Sequence, residues 1–390
     1  GESVRDIALR AAKVLVEIYG RSALDLLLPA LQARLFDEDW RIRLSAVQLL
    51  GDLLYKLTGT SGKAVMDEDE TGLGTASTQK TLIAVLGESR RNEVLGALYM
   101  LRSDPSHAVG HAANHVWKSV VVNPPKTLKE VMQEMMSMII SSMASDNEDF
   151  QTLAGAALGD LVHKMGESVL PMVLPILMEG IQDEDPVKRQ GICLGLGQVI
   201  AASTKAMIDQ FVEDFIPPVQ LALFDEDELV REAAAQTFGA MYRHPEFGRK
   251  ALDSIVPNLL AEIADGNDAA LDGLRQIVTV RPMLVQTLVP KLVGARAITL
   301  PAVKCLATMA DVPDVSLDMY VNSLVPGLFL SFDKVTSTTE GDELMEYAEA
   351  MVVAIGFESE DIGVMINELH RGLKDTVHYK PSNAVRKASA

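Results

Sequence analysis

Cysteine is nearly absent from this chain: Cys193 and Cys305 are the only two in 390 residues, and each sits in an apolar run, GICLGLGQVI and AVKCLATMA. Two thiols so placed exclude a disulfide framework and fit a reducing compartment. Aromatic side chains are scarce as well, at 5% against 48% hydrophobic residues overall, so Leu, Ala, Val, Ile and Met must fill the interior. That composition suits many short helices packed closely through small residues. No apolar run reaches the eighteen or so residues that a membrane helix needs, and the first residues lack the charged-then-apolar order of a secretion signal. A cytoplasmic protein without membrane contact is expected. Positive charge is in deficit, with 35 Lys and Arg against 54 Asp and Glu, a net of −19. This excludes a general affinity for nucleic-acid phosphates over the whole surface, while leaving room for a local basic stripe. Catalytic signatures are missing too. No Ser/His/Asp or Cys/His signature is present, and the glycines of GLGQVI and AGAAL lie in helical patterns rather than in a phosphate-cradling loop. No enzymatic activity, cofactor or small-molecule substrate is expected.

What the chain does have is a repeat of roughly forty residues. Each copy joins an apolar helix containing a proline to an acidic corner and a second helix that opens on a basic residue. The clearest copies are LLLPALQARLFDEDWRIRLSAVQLLGDLL from Leu26, VLPILMEGIQDEDPVKRQGICLGLGQVI from Val173 and FIPPVQLALFDEDELVREAAAQTFGAM from Phe215. Corner acids recur at Asp39, Asp104, Asp146, Asp185, Asp227 and Asp268 once the first interval is allowed an insertion. The spacing matches HEAT and armadillo repeats. The expected fold is all-α, a right-handed α-solenoid of HEAT repeats with about nine helical hairpins, some incomplete. Such arrays present long surfaces to partners and rarely enclose a catalytic pocket.

Residues 1–390 read as one continuous array. Residues 4–20 form a lone second helix, and 24–57 the first full unit. Units follow at 81–122, 127–165, 167–203, 206–243, 247–281, 284–310, 317–356 and 361–390. The unit at 284–310 has a shortened corner, VGARAITLP from Val293, without the acid. Residues 58–78, rich in Gly, Ser, Thr and acids, read as a flexible acidic insertion carrying the DEDE run at Asp67. The ends read as those of a piece cut from a longer array, with Gly1 as a cloning scar and AVRKASA from Ala384 as the opening of another helix.

Corner chemistry has an ordinary explanation. An Asp in the turn caps the second helix, and acids there complement its dipole. The basic residue that follows, Arg43, Arg189 or Arg231, is expected to bridge to the corner acid of a neighbouring unit. Pro29, Pro175, Pro217, Pro257, Pro290 and Pro326 fall inside first helices, where a missing amide donor bends the rod. His107, His111 and His115 share one helical face at i, i+4, i+8, but the outer two are about 12 Å apart along the axis, too far for one ion. A polar face between units is the better reading, and no metal site is expected. Met132, Met135, Met136, Met138 and Met143 read as core filling.

Specific strings carry a resemblance beyond the repeat period. They are EDFQTLAGAALGDLVHKMGESVLPMVLPILMEGIQDEDPVKRQGICLGLGQVI from Glu148, VREAAAQTFGAMY from Val230, ALDGLRQIVTV from Ala270 and LVPKLV from Leu288. Densest between about residues 148 and 293, they resemble the C-terminal half of the giant HEAT-repeat translational activators of the general control non-derepressible family. The resemblance implies a cytoplasmic, non-catalytic scaffold on stalled ribosomes that activates the kinase of the initiation factor two alpha subunit during amino-acid starvation. It implies two partners, the ribosome and RWD domains of that kinase or of its competitors. The family's RWD-contacting residues match no motif in this chain, so none is carried over. On chemistry alone, the candidate partner-binding residues are Arg189, Arg231 and Arg275, with Lys188 and Lys291 beside them. The acidic net charge favours a protein partner, whereas the density of Arg41, Arg43, Arg90, Arg91 and Arg102 leaves ribosomal RNA contact open in the first third. The alternative is a transport or assembly adaptor of karyopherin-like or phosphatase-scaffold-like type. Such adaptors show acidic inner ladders or asparagine–tryptophan arrays, and only Asn114 and Trp117 hint at one here.

Overall fold

The computed structural model describes residues 4–59, 76–293, 298–358, 362–374 and 380–390. Among the described residues the secondary structure is helical throughout, with no strand. Two compact units divide between Gln210 and Phe211.

The first unit runs α1 (Val4–Tyr19), α2 (Leu24–Gln32), α3 (Trp40–Thr58), α4 (Ala76–Leu86), α5 (Glu88–Leu101), α6 (His107–Val120), α7 (Pro124–Met143), α8 (Glu148–Met165), α9 (Leu170–Gly180) and α10 (Pro186–Ala202). Helix α1 packs on α3 as a lone second helix does, and α2/α3, α5/α6, α7/α8 and α9/α10 are hairpins. Second helices α3 and α6 pack side by side, as do α8 and α10, while α6 and α8 are not a closely packed pair. The stretch read as one hairpin from Thr81 instead holds three helices. Helix α4 opens at Ala76, inside the expected insertion, because Thr78, Leu82 and Leu86 give it a buried stripe against α3 and α5. Residues 60–75, including the DEDE run at Asp67, lie outside the described residues.

Sequence dictates where these helices start. Asp39, Asp185 and Asp227 each accept an amide hydrogen at the head of a second helix, at 2.8, 3.0 and 2.9 Å. At Asp146 and Asp268 the capping role falls instead to the adjacent Asn147 and Asn267. Asp104 caps nothing in that way; it is buried and takes another partner. Leu50, Leu53 and Leu54 of α3 are wholly buried, as are Met135 and Met136 of α7. Each such side chain contributes about 1.5–3 kcal/mol on leaving water. Met132, Met135, Met136 and Met143 are core, as their spacing predicts, while Met138 is half-buried.

The second unit takes in the larger part of α11 (Lys205–Leu223), then α12 (Glu228–Met241), α13 (Pro245–Ala264), α14 (Asp268–Val280), α15 (Val285–Val293), α16 (Leu300–Ala310), α17 (Val321–Lys334), α18 (Thr338–Glu358), α19 (Ile362–Leu373) and α20 (Asn383–Ser389). Second helices stack in order, α12 on α14, α14 on α16 and α16 on α18. Gly273 of α14 lets that helix approach the end of first helix α11, since a Cβ there would collide with the Leu223 carbonyl. All six expected prolines lie inside first helices, and α11, which holds Pro217 and Pro218, breaks helical geometry at Phe211 (φ −111°, ψ 15°).

Candidate docking surface

Turn arginines hold the corners together. Arg43 lies 1% exposed. Its Nε and Nη2 donate to the two oxygens of Asp104 at 2.8 and 3.0 Å, and its Nη1 donates to the carbonyls of Asp37 and Glu38 at 2.9 and 3.1 Å. Arg231 repeats the pattern in the second unit, with Nε on Asp272 at 2.6 Å and Nη1 on the carbonyls of Asp225 and Glu226. Its acid stands on α14 rather than at the corner, because the Asp268 side chain belongs to the first turn of that helix. Arg189 makes the same two carbonyl contacts, to Asp183 and Glu184. In Arg43 and Arg231 one guanidinium thus satisfies the turn that precedes its own helix and reaches onward to the next hairpin, the multiple donation to which arginine is suited.

Lys188, Arg275 and Lys291 occupy the solvent side. Lys188 pairs with Asp183 at 3.3 Å, and the Asp185 amide together with this lysine holds the Asp183 carboxyl below its usual range. Arg275 of α14 reaches Asp311 at 2.6 Å, and Lys291 of α15 pairs with Asp253 of α13. Lys250–Glu213 and Lys304–Glu343 continue this lateral pairing between neighbouring hairpins. Exposed pairs of this kind are worth about 0–1 kcal/mol each. Of the arginines noted in the first third, Arg43 and Arg91 are buried, Arg91 against Glu130, and Arg90 pairs with Asp25.

Arg102 is different. It follows the last residue of α5, and its guanidinium lies over Tyr99 at 4.9 Å and Trp117 at 5.9 Å. It has no hydrogen bond or carboxylate partner among the described residues, and its Nε is buried. Beside it on α6, the Asn114 Oδ1 is also buried and unpartnered. Both residues line a cavity of about 680 Å³ where α6 and α8 stand apart. Lys118 and Lys164 contribute the other charges, no acid lines it, and Val122, Pro124 and Leu128 form its apolar side. A second hollow of about 340 Å³ continues past Arg102 and Asn114 to His107, His111 and Asp160. Asp160 is held by Lys164 at 3.3 Å and by the Tyr99 hydroxyl at 3.2 Å. The sequence pairs Asn114 with Trp117 as a hint of an asparagine–tryptophan array and offers Arg102 apart from them, as one of the bases of the first third. A signal was present: Arg34, at the end of α2, has Asp37 three residues on and pairs with it at 3.1 Å, whereas Arg102 has Pro105 at that position.

The three histidines separate by environment. His115 faces the neighbouring hairpin, with Nδ1 3.2 Å from the Tyr55 hydroxyl, while His107 and His111 are exposed. Among the described residues no group of three or more His, Cys, Asp or Glu could hold a metal ion. Both cysteines are buried, and burial pushes the Cys305 thiol up to about 12. No helix among the described residues is long and apolar enough to cross a membrane.

Stacked hairpins with capped acidic corners and turn arginines define a HEAT-repeat protein, and the HEAT repeat model matches residues 27–57 and 215–244, one stretch in each unit. The human protein called stalled ribosome sensor GCN1 is 38% identical over 398 aligned residues, covering 100% of this chain and 14% of its own length. The eIF-2-alpha kinase activator GCN1 of Saccharomyces cerevisiae is 35% identical over 350 residues, covering 87% of this chain and 13% of its own. The chain belongs to the GCN1 family and spans about 14% of the length of the curated relatives it matches. Among solved structures, Kap121p aligns with 93% of this chain and 44% of its own at 16% identity and a TM-score of 0.34, a likeness too loose to carry an argument.

Proposed function

We propose that this chain is a non-catalytic scaffold segment of a cytoplasmic, ribosome-associated activator of the initiation factor two alpha kinase, one continuous array offering a docking surface to RWD-domain proteins or to the ribosome. The observation that carries this reading is identity extending along 100% of the chain to a relative named for sensing stalled ribosomes, together with a second named for activating that kinase. Physical features support a docking role. Buried turn arginines fix the corners, so exposed cations project from defined positions. In the first unit this is Lys188, with the neighbouring Arg189 holding the turn; in the second they are Arg275 and Lys291, with Arg231 holding the turn behind them. Because their intramolecular pairs are weak, exchanging an internal carboxylate for a partner's costs little. A protein partner is favoured over ribosomal RNA, since most arginines of the first third already have acids.

The test is capture of the chain by purified ribosomes and, separately, by the RWD domain of the kinase, at low and moderate salt. Salt-resistant RWD capture that is lost in a Lys188→Ala, Arg275→Ala, Lys291→Ala triple variant supports the kinase arm. Ribosome capture alone, abolished by salt, replaces it with a ribosome-tracking role. Retention of both in the triple variant removes these residues from the docking surface.

A further inference from the structure

The groove where α6 and α8 stand apart carries recognition groups that the fold leaves unused, and it stands independently of whether the scaffold serves ribosome or kinase. In a chain of net charge −19, its main cavity is lined by Arg102, Lys118 and Lys164 and by no acid. The buried arginines among the described residues each have an acid partner, Arg43 with Asp104, Arg91 with Glu130 and Arg231 with Asp272, whereas Arg102 is half-buried with its Nε enclosed. Arg102 has none among the described residues, and Asn114 beside it makes no side-chain hydrogen bond. Buried polar atoms left without partners call for a reason, because each costs about 1–3 kcal/mol. Neither side chain is fixed by a hydrogen bond, and stacking on Tyr99 and Trp117 holds the Arg102 guanidinium without using its N–H donors, which are left for an incoming chain.

We propose that this groove binds an extended, acidic segment of a partner protein, with a carboxylate on Arg102, a backbone N–H on the Asn114 oxygen and an aliphatic side chain against Val122, Pro124 and Leu128. The orphan Asn114 acceptor suits the free backbone N–H of an extended chain, and the guanidinium beside it suits an acidic side chain of the same segment. A helical segment has those groups bonded internally and offers neither, so the occupant is extended. A nucleic-acid phosphate satisfies the guanidinium but gives Asn114 no donor. Base stacking is closed off as well, since Tyr99 and Trp117 are each 3% exposed and Arg102 lies over them. Lys118 adds charge at the wall, and His107 and His111 extend the groove at the far end, where Asp104 and Asp160 are already held by Arg43 and Lys164.

Selection of a displayed random-decapeptide library on the immobilised 390-residue chain tests this. Anisotropy titration of one enriched peptide, and of a labelled uridine dodecamer, follows. Enrichment of sequences rich in Asp and Glu around an aliphatic residue is expected. Loss of a charge-assisted hydrogen bond predicts affinity at least about tenfold weaker in Arg102→Gln, with partial recovery in Arg102→Lys. Lys118→Gln weakens binding less and lowers its salt dependence; Asn114→Leu weakens it without changing that dependence. Should Arg102→Gln lose its melting transition, Lys118→Gln and Asn114→Leu decide. No enrichment, enrichment of neutral or basic sequences, affinity indifferent to these variants, or a uridine dodecamer that competes with the peptide would each overturn the proposal.

Discussion

Removing Arg43 should damage the first unit more than any other single change of a charged residue. Arg43→Ala deletes two charge-assisted bonds to Asp104 and two bonds to the carbonyls of Asp37 and Glu38. It also deletes a contact of the guanidinium with the Phe150 ring at 6.0 Å. The Asp104 carboxylate, 0% exposed, is left with the Ser106 amide at 2.8 Å as its remaining bond. Stranding one member of a buried pair costs about 3–5 kcal/mol. In a repeat array the loss is local, because stability is nearly a sum of repeats and their interfaces. Native-state hydrogen exchange is therefore the right assay. At about 1.4 kcal/mol per factor of ten, protection of α3 and α6 amides should fall by roughly two to three and a half powers of ten, while α12 and α14 keep theirs. Replacing both partners by leucine should recover most of the loss, since an apolar pair of similar volume is often neutral or better. Protection in α3 and α6 unchanged to within about 1 kcal/mol, or an Arg43/Asp104 double-mutant cycle without coupling, would refute the reasoning.

Two glycines should respond in opposite directions. Gly273→Ala drives a methyl group into the Leu223 carbonyl and should destabilise by about 1–3 kcal/mol, whereas Gly159→Ala on α8 meets nothing within 4 Å and should stabilise by about 0.5–1 kcal/mol; denaturant melts of each variant check both. Asp227→Ala removes the cap of α12, bonded to the Leu229 and Val230 amides, and should lower stability by about 1 kcal/mol in the same assay. Cys305 should resist alkylation at pH 8 until the second unit opens, as followed by mass spectrometry. Its raised pKa also sets a sign. Between the ordinary thiol value near 9 and about 12, the unfolded chain has lost a proton that the folded one keeps, so this contribution to stability is intact below pH 9 and falls as pH rises. Cys305→Ala should flatten that part of an alkaline stability profile, and an unchanged slope would count against the assignment.

The sequence by itself determined the helical repeat, the placement of prolines in first helices, the caps at Asp39, Asp185 and Asp227 and most of the methionine core. All of these follow from spacing within one hairpin, where 3.6-residue periodicity and capping chemistry act over a few residues. It also carried the turn arginines, because Arg43, Arg189 and Arg231 sit at one fixed distance from the corner they brace. Only the tertiary structure decided which acid each arginine meets. Asp104 serves Arg43 across the 60–75 segment, and Asp272 on α14, not the corner Asp268, serves Arg231. The groove was equally beyond reach, since it exists because α6 and α8 fail to pack closely while their flanking neighbours do. Distances between hairpins depend on the summed volumes of side chains from several units, and no local pattern encodes that sum. Arg102 and Asn114 are two ordinary polar residues as far as local pattern goes; only that opening leaves the Arg102 Nε and the Asn114 Oδ1 without hydrogen-bond partners.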